Sequence, residues 1–255
     1  MQTVSNPPLK TTVENDGAVY ESRLFRSSPA PTYSQEHLKD FSHAVMHDTF
    51  PCVFAPSALR QDSLLFGLAD VAKNGWESLP PIMDNVVAAI EENPDQVVIL
   101  WIDGVDSISI ADDHQAVRTL LTTLLTADDR PWPAGQPIDP ADTNWNFWYE
   151  GVDFFINFST RHHVNRRSRN LGQAFTLVTQ SQSSFDRLPE HGRKAREVIR
   201  DRISKHDAVG VSPVLGNHGD APELPQFFLG DINGCPHLPL SRDDVASRTV
   251  CVPTP

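Results

Sequence analysis

The chain has 255 residues, 39% hydrophobic and 21% charged, with a formal net charge of -12. That length accommodates one large domain or two small ones with a buried core, while the excess of carboxylates repels polyphosphate and anionic lipid, so neither a nucleic-acid nor a membrane partner is expected. No run approaches the roughly 20 apolar residues of a membrane helix, and no basic then apolar N-terminal segment reads as a secretion signal, so a cytoplasmic protein is expected.

In chain order, residues 1–32 are polar and carry prolines at 7, 8, 29 and 31 without a clear period, which reads as an irregular leader. Leu38, Phe41, Val45 and Met46 share a helical face and predict a helix from Ser34 to about His47, with Ser34 as its N-cap. The segment FPCVFAPSAL, from Phe50, reads as a buried strand or turn entering a helical piece, and Leu64–Val71 as a strand. A helix is expected from about Pro80 to Glu92, a strand over Val97–Ile102 and an amphipathic helix over Ala111–Ala127. Asp128–Asp142 is a Pro- and Asp-rich loop leading into the aromatic run NWNFWYEG. Val152–Phe158 and Ala174–Thr179 read as neighbouring strands, Arg193–Lys205 as a helix, and the loop-rich end as holding one short strand near Phe227–Leu229. Strands and helices mix without regular βαβ alternation. The expected fold is therefore α+β, a single domain with a mixed sheet flanked by helices and long loops.

The segment joining the two neighbouring strands concentrates the chemistry. It runs RHHVNRRSRNLG from Arg161 to Gly172, and no acidic residue falls between Phe154 and Gly172. Imidazoles offer a metal ligand or a proton carrier, and guanidiniums offer forks for carboxylate or phosphate. Composition alone leaves this loop open between a metal- or heme-ligating site, a phosphate site and a solvated basic surface. Cys52 sits in an apolar run, where a cysteine behaves as a small hydrophobe before it behaves as a thiolate. His47, at a helix end, reads as a charge complementing the helix dipole. Trp145, Phe147, Trp148 and Tyr149 could wall a flat cofactor or form a core edge under the long loop. The three cysteines, Cys52, Cys235 and Cys251, contain no CxxC pair, and Cys235 with His237 is too small a set for structural zinc. Nucleotide-binding, zincin and hydrolase signatures are absent.

Three blocks carry a resemblance: FPCVFAPSALR (Phe50–Arg60), WNFWYEGVDFFINFS (Trp145–Ser159) and RRSRNLGQAFTLV (Arg166–Val178), with RDRISKHD and SPVLGNHGDAPELPQFFLGDIN as supporting texture. Together they resemble the YqcI/YcgG family over roughly Phe41 to Asn233. Characterised members are heme-dependent N-oxygenases of natural-product pathways that hydroxylate the guanidino or side-chain amino nitrogen of free amino acids. The resemblance implies that residues 33–255 form one catalytic domain that binds protoheme (heme b). It implies O2 with an external reductant, or peroxide, as oxidant, and an arginine-like substrate. Carried onto these residues, His163 becomes the proximal iron ligand with His162 as the alternative, and His47 and Cys52 stay open as further axial candidates. Arg166 and Arg169 become partners for propionates or the substrate carboxylate, and Phe50, Cys52, Phe54 and the aromatic run flank the cofactor. The rival expectations are a heme or small-molecule carrier or sensor without turnover, and an arginine-lined phosphate-ester site.

Overall fold

The structure, a computed structural model, describes residues 11–15, 18–22, 24–186, 189–217, 219–234 and 239–249. Strands β1 (Thr11–Asn15) and β2 (Ala18–Ser22) pair antiparallel. Part of the stretch expected to be irregular is therefore a ribbon, formed by segments too polar and too short to announce themselves by an apolar face. Immediately after it, Phe25 exchanges both main-chain hydrogen bonds with Phe66.

The main body follows as α1 (Gln35–Val45), α2 (Ala55–Arg60), β3 (Leu65–Asp70), α3 (Val71–Asn74), α4 (Leu79–Glu92), β4 (Val98–Asp103), α5 (Ile110–Ala127), β5 (Phe147–Tyr149), β6 (Val152–Ser159), β7 (Phe175–Ser181), α6 (Ser183–Asp186), α7 (Pro189–His206), α8 (Leu224–Phe227) and α9 (Arg242–Thr249). The main sheet has five strands in the order β3-β4-β7-β6-β5. Only β3 and β4 pair parallel; the other neighbours are antiparallel. The fold is a single α+β domain with a mixed open sheet, as the sequence predicts.

Strand β4 explains the layering. Val98, Leu100 and Ile102 enter one apolar cluster with α4 and α5, while Ile99 and Trp101 enter a second with Phe41 and Val45 of α1. A strand covered on both faces reads as the unbroken apolar run VILWI. Pro80 and Pro81 begin α4, where missing N–H groups cost nothing. Ser109 caps α5 through the main-chain N–H of Asp112. Ser34 precedes α1 without capping it; its hydroxyl donates to Pro31 instead.

The aromatic run is core. Trp145, Phe147 and Tyr149 are buried, Trp132 from the long loop stacks on Trp145 at 6.3 Å, and the Tyr149 hydroxyl donates to Asp84 on α4. It lines neither cavity described below, and Phe54 is exposed. The strand expected near Phe227–Leu229 is not formed: Leu224–Phe227 is a helical turn and Phe228 follows in extended form. A buried apolar triplet looks the same in sequence whether it pairs or merely packs. Cys235, His237 and Cys251 lie outside the described residues.

Candidate functional site

Because β7 runs antiparallel to both β4 and β6, the C-terminal ends of β3, β4 and β6 meet at one edge of the sheet. The His/Arg loop crosses that edge, between Ser159 and Phe175. Its neck is closed by the Thr160 N–H donating to the Arg169 carbonyl at 3.0 Å, and the turn Arg167–Arg169 shapes its far side.

Much of the loop's charge is internal. His163 is fully buried; its Nε2–H donates to the Leu229 carbonyl at 2.7 Å and its Nδ1 receives the Thr160 N–H at 3.3 Å. Burial holds this imidazole below its ordinary pKa, against the Leu229 carbonyl and with help from the Arg169 charge. Arg166 donates to the Gly230 carbonyl and to Asn233, both at 2.7 Å, and burial lowers its pKa. Arg169 donates to the carbonyls of Gln226 and Phe227, and burial, with Arg166 nearby, pushes it down to about 9. Asp231 accepts the N–H groups of Asn165 and Arg166. Asp207, at the end of α7, accepts both the N–H and the hydroxyl of Ser168. The loop is thus bolted to the segment 226–233 and to α7.

His162 lies on the other side. Its Nδ1 bonds the Asp113 carboxylate at 2.9 Å, and Ser107 and Thr160 hydroxyls donate to the same buried carboxylate. These groups line a small cavity of about 90 Å³ together with Asp103, Arg161 and Gln173. Asp103 accepts from His37 Nε2 at 2.9 Å and keeps part of its carboxylate exposed. His37 is raised in pKa, first by that hydrogen bond.

A larger groove, about 310 Å³, opens across Gln173, which lines both. Its walls are Asp40, His43 and His47 from α1 and its exit, Arg167, Asn170 and Gly172 from the loop, and His206 from α7. Gly172 adopts φ +127°, and a Cβ there would lie 2.5 Å from Asp40 Cβ, so only glycine lets α1 approach the loop this closely. Thr49 joins two of the imidazoles: its Oγ1 is 3.0 Å from His47 Nδ1 and 2.7 Å from His206 Nδ1. The His47 and His206 rings pack edge to face at 5.7 Å, and Phe50 also meets His206 edge to face, at 6.0 Å. The FPC block and the RSRN block, more than a hundred residues apart, therefore converge on His206. Cys52 is half-buried against the apolar cluster on this side of the sheet and lines neither cavity.

The residues nominated from sequence thus separate. His163, Arg166 and Arg169 are packed inside, His162 faces the small acidic cavity, and Phe50 and Cys52 join the apolar cluster with Phe41 and Val45 of α1. His43, Arg167 and His206 were passed over. Arg167 stood in the same run as the two chosen arginines, and the His43–His47 spacing of four residues was the available signal for a shared helix face.

The implied heme can be tested against these groups. His163 does not fit as an iron ligand: one ring nitrogen is held by the Leu229 carbonyl, the other by its own loop, and it lines neither of the two cavities. Nor do Arg166 and Arg169 fit as propionate partners while they hold main-chain carbonyls. Among the described residues no group of three or more His, Cys, Asp or Glu could hold a metal ion. The larger groove carries imidazoles and a guanidinium in His43, His47 and Arg167, but its other walls, Asp40, Ala44, Asn170, Gly172, Gln173 and His206, give a porphyrin no apolar face.

Comparison with known proteins agrees with the resemblance. The family model described as the YqcI/YcgG family matches residues 41–240. A Streptomyces lavendulae protein named "Putative N(omega)-hydroxy-L-arginine synthase DcsA" is 30% identical over 213 residues, 79% of this chain and 80% of that protein. YcgG of Bacillus subtilis (strain 168) is 31% identical over 206 residues, 74% of this chain and 81% of its own, and YqcI of the same organism is 26% identical over 209 residues, 76% of this chain and 82% of its own. No solved structure matches. Among the described residues no helix is long and apolar enough to cross a membrane. The chain belongs to the YqcI/YcgG family.

Proposed function

We propose that this protein N-hydroxylates the guanidino or side-chain amino group of a free, arginine-like amino acid, with protoheme as cofactor. The kinship with DcsA over 79% of the chain carries the reading. In the reaction one oxygen atom of O2 enters an N–H bond to give N–OH and the other leaves as water. Two electrons and two protons come from an external reductant; with hydrogen peroxide as oxidant none is needed. When bound, heme supplies the oxygen activation.

The chain's own residues prepare the substrate. The acidic cavity offers Asp103, whose carboxylate is partly exposed, to a guanidinium or ammonium through a charge-assisted hydrogen bond. Asp113 cannot take that role, because Ser107, Thr160 and His162 already occupy its oxygens. A cation held at Asp103 stands beside Gln173, on the border of the imidazole-lined groove. The acidic chain as a whole attracts such a substrate.

The test is incubation of the heme-reconstituted protein with L-arginine, L-lysine and free guanidines, with O2 and reductant or with peroxide, followed by mass spectrometry. Formation of a product one oxygen heavier, with the label from 18O2, supports the reading. Heme binding with no oxidised product from any of these substrates refutes it in favour of a carrier or sensor.

A further inference from the structure

Gly172 brings a carboxylate up to the His/Arg loop. Because it lacks a Cβ, Asp40 of α1 lies against the loop main chain, and the Gln173 N–H donates to Asp40 Oδ2 at 3.4 Å. The other oxygen, Oδ1, has no hydrogen bond among the described residues. Arg167, on the 3-10 turn of the loop, is exposed and lines the same groove of about 310 Å³. No hydrogen bond or ion pair holds its guanidinium among the described residues. An open carboxylate oxygen and an open guanidinium therefore share one groove without pairing with each other.

That arrangement selects among ligands. Arg167 and the imidazoles of His43, His47 and His206 favour an anion, but Asp40 in the same walls opposes a phosphate. A lone cation meets the like charge of Arg167. A ligand that carries both charges satisfies both walls. An α-amino acid head group does so: its carboxylate takes the Arg167 fork, and its ammonium donates to the open oxygen of Asp40.

Gln173 connects this groove to the second cavity, since it lines both. A side chain that leaves the head group alongside Gln173 enters the small cavity of about 90 Å³. Asp103 stands there with part of its carboxylate exposed. The ligand must then be long enough to pass Gln173 and positively charged at its far end.

We propose that the larger groove is the head-group subsite for a free α-amino acid, with Arg167 binding its carboxylate and Asp40 its ammonium, while its cationic side chain passes Gln173 to reach Asp103. This rests on the arginine-like substrate of the reading above and deepens it. The protein then discriminates the intact amino acid from amines and guanidines that lack either head-group charge.

The test is calorimetric titration of the purified full-length protein with L-arginine, with agmatine, which lacks the carboxylate, and with the des-amino analogue of arginine, which lacks the ammonium. The wild type is expected to bind L-arginine at least about 10-fold more tightly than either analogue. Arg167→Ala weakens L-arginine and the des-amino analogue about 10-fold and leaves agmatine unchanged. Asp40→Asn, which keeps an acceptor for the Gln173 N–H, weakens L-arginine and agmatine by a similar factor and leaves the des-amino analogue unchanged. Asp103→Asn weakens all three. Circular dichroism of each variant checks that the fold is kept. L-arginine affinity unchanged in folded Arg167→Ala and Asp40→Asn overturns the head-group subsite and leaves the arginine-like substrate standing. Agmatine bound by the wild type as tightly as L-arginine has the same consequence. A wild type that binds neither L-arginine nor L-lysine overturns both, and inorganic phosphate bound in their stead assigns the groove to an anion.

Discussion

Arg167 and Arg169 stand two positions apart on one 3-10 turn and meet opposite environments: Arg169 is buried with its guanidinium on the Gln226 and Phe227 carbonyls, whereas Arg167 is exposed and walls the larger groove. A turn with three residues per revolution sends neighbours in different directions, and so divides one run of arginines between the interior and the groove wall.

The two positions should therefore fail differently. Arg169→Ala strips two buried carbonyls of their donor and is expected to cost about 3 kcal/mol of stability. Arg167→Ala changes stability by no more than about 0.5 kcal/mol. Urea unfolding of both variants checks the contrast.

Asp113 is the next such point. It is 1% exposed and gathers Ser107 from the loop before α5 and Thr160 and His162 from the His/Arg loop. Asp113→Ala leaves buried hydroxyls unpaired and should cost about 2–4 kcal/mol, read from the denaturant midpoint. Asp103→Asn, in contrast, keeps the fold and raises KM for a cationic substrate more than it lowers kcat.

Gly172→Ala meets two penalties at once, a positive φ and a collision with Asp40. A loss of about 2 kcal/mol or more is expected.

Stability should also fall on mild acidification. His163 has a folded-state pKa below its ordinary 6.5, so the unfolded chain protonates first as pH drops. The contribution of neutral His163 is complete above that value and declines below it, by at most about 1.4 kcal/mol per pH unit. His206 has the same sign; His37, raised by Asp103, has the opposite one and contributes below its unfolded value. Unfolding free energies of wild type and His163→Gln between about pH 7 and pH 5 check this, the wild type showing the steeper fall.

The sheet was legible because its strands carry strong patterns: VILWI is apolar on both faces, and β6 and β7 are the two longest strands of the sheet, flanking the charged loop. The main helices were legible from their apolar faces. The hairpin at Thr11–Ser22 was not, since main-chain pairing leaves no trace in such short polar segments. At the candidate site the sequence brings the charged residues together without saying which of them are buried. Sequence shows that His162, His163 and the arginines are close, yet burial decides which of them are free to bind, and burial comes from residues 226–233, some sixty positions away. His206 reaches the site from the end of α7, and nothing in RDRISKHD reveals that it faces Phe50.

The position of β7 between β4 and β6 also governs how the chain can be assembled. The pair β3–β4 with α4 forms one locally connected unit and β5–β6–β7 another, and the antiparallel register Val98–Thr179 to Ile102–Phe175 is the seam between them. Until Ser181 has been synthesised, β4 is an open edge of almost pure apolar character. A nascent or truncated chain ending before β7 presents VILWI to any strand it meets, the exposure that leads to intermolecular pairing. The final strand of the sheet thus also closes the open edge that the chain carries until β7 is made.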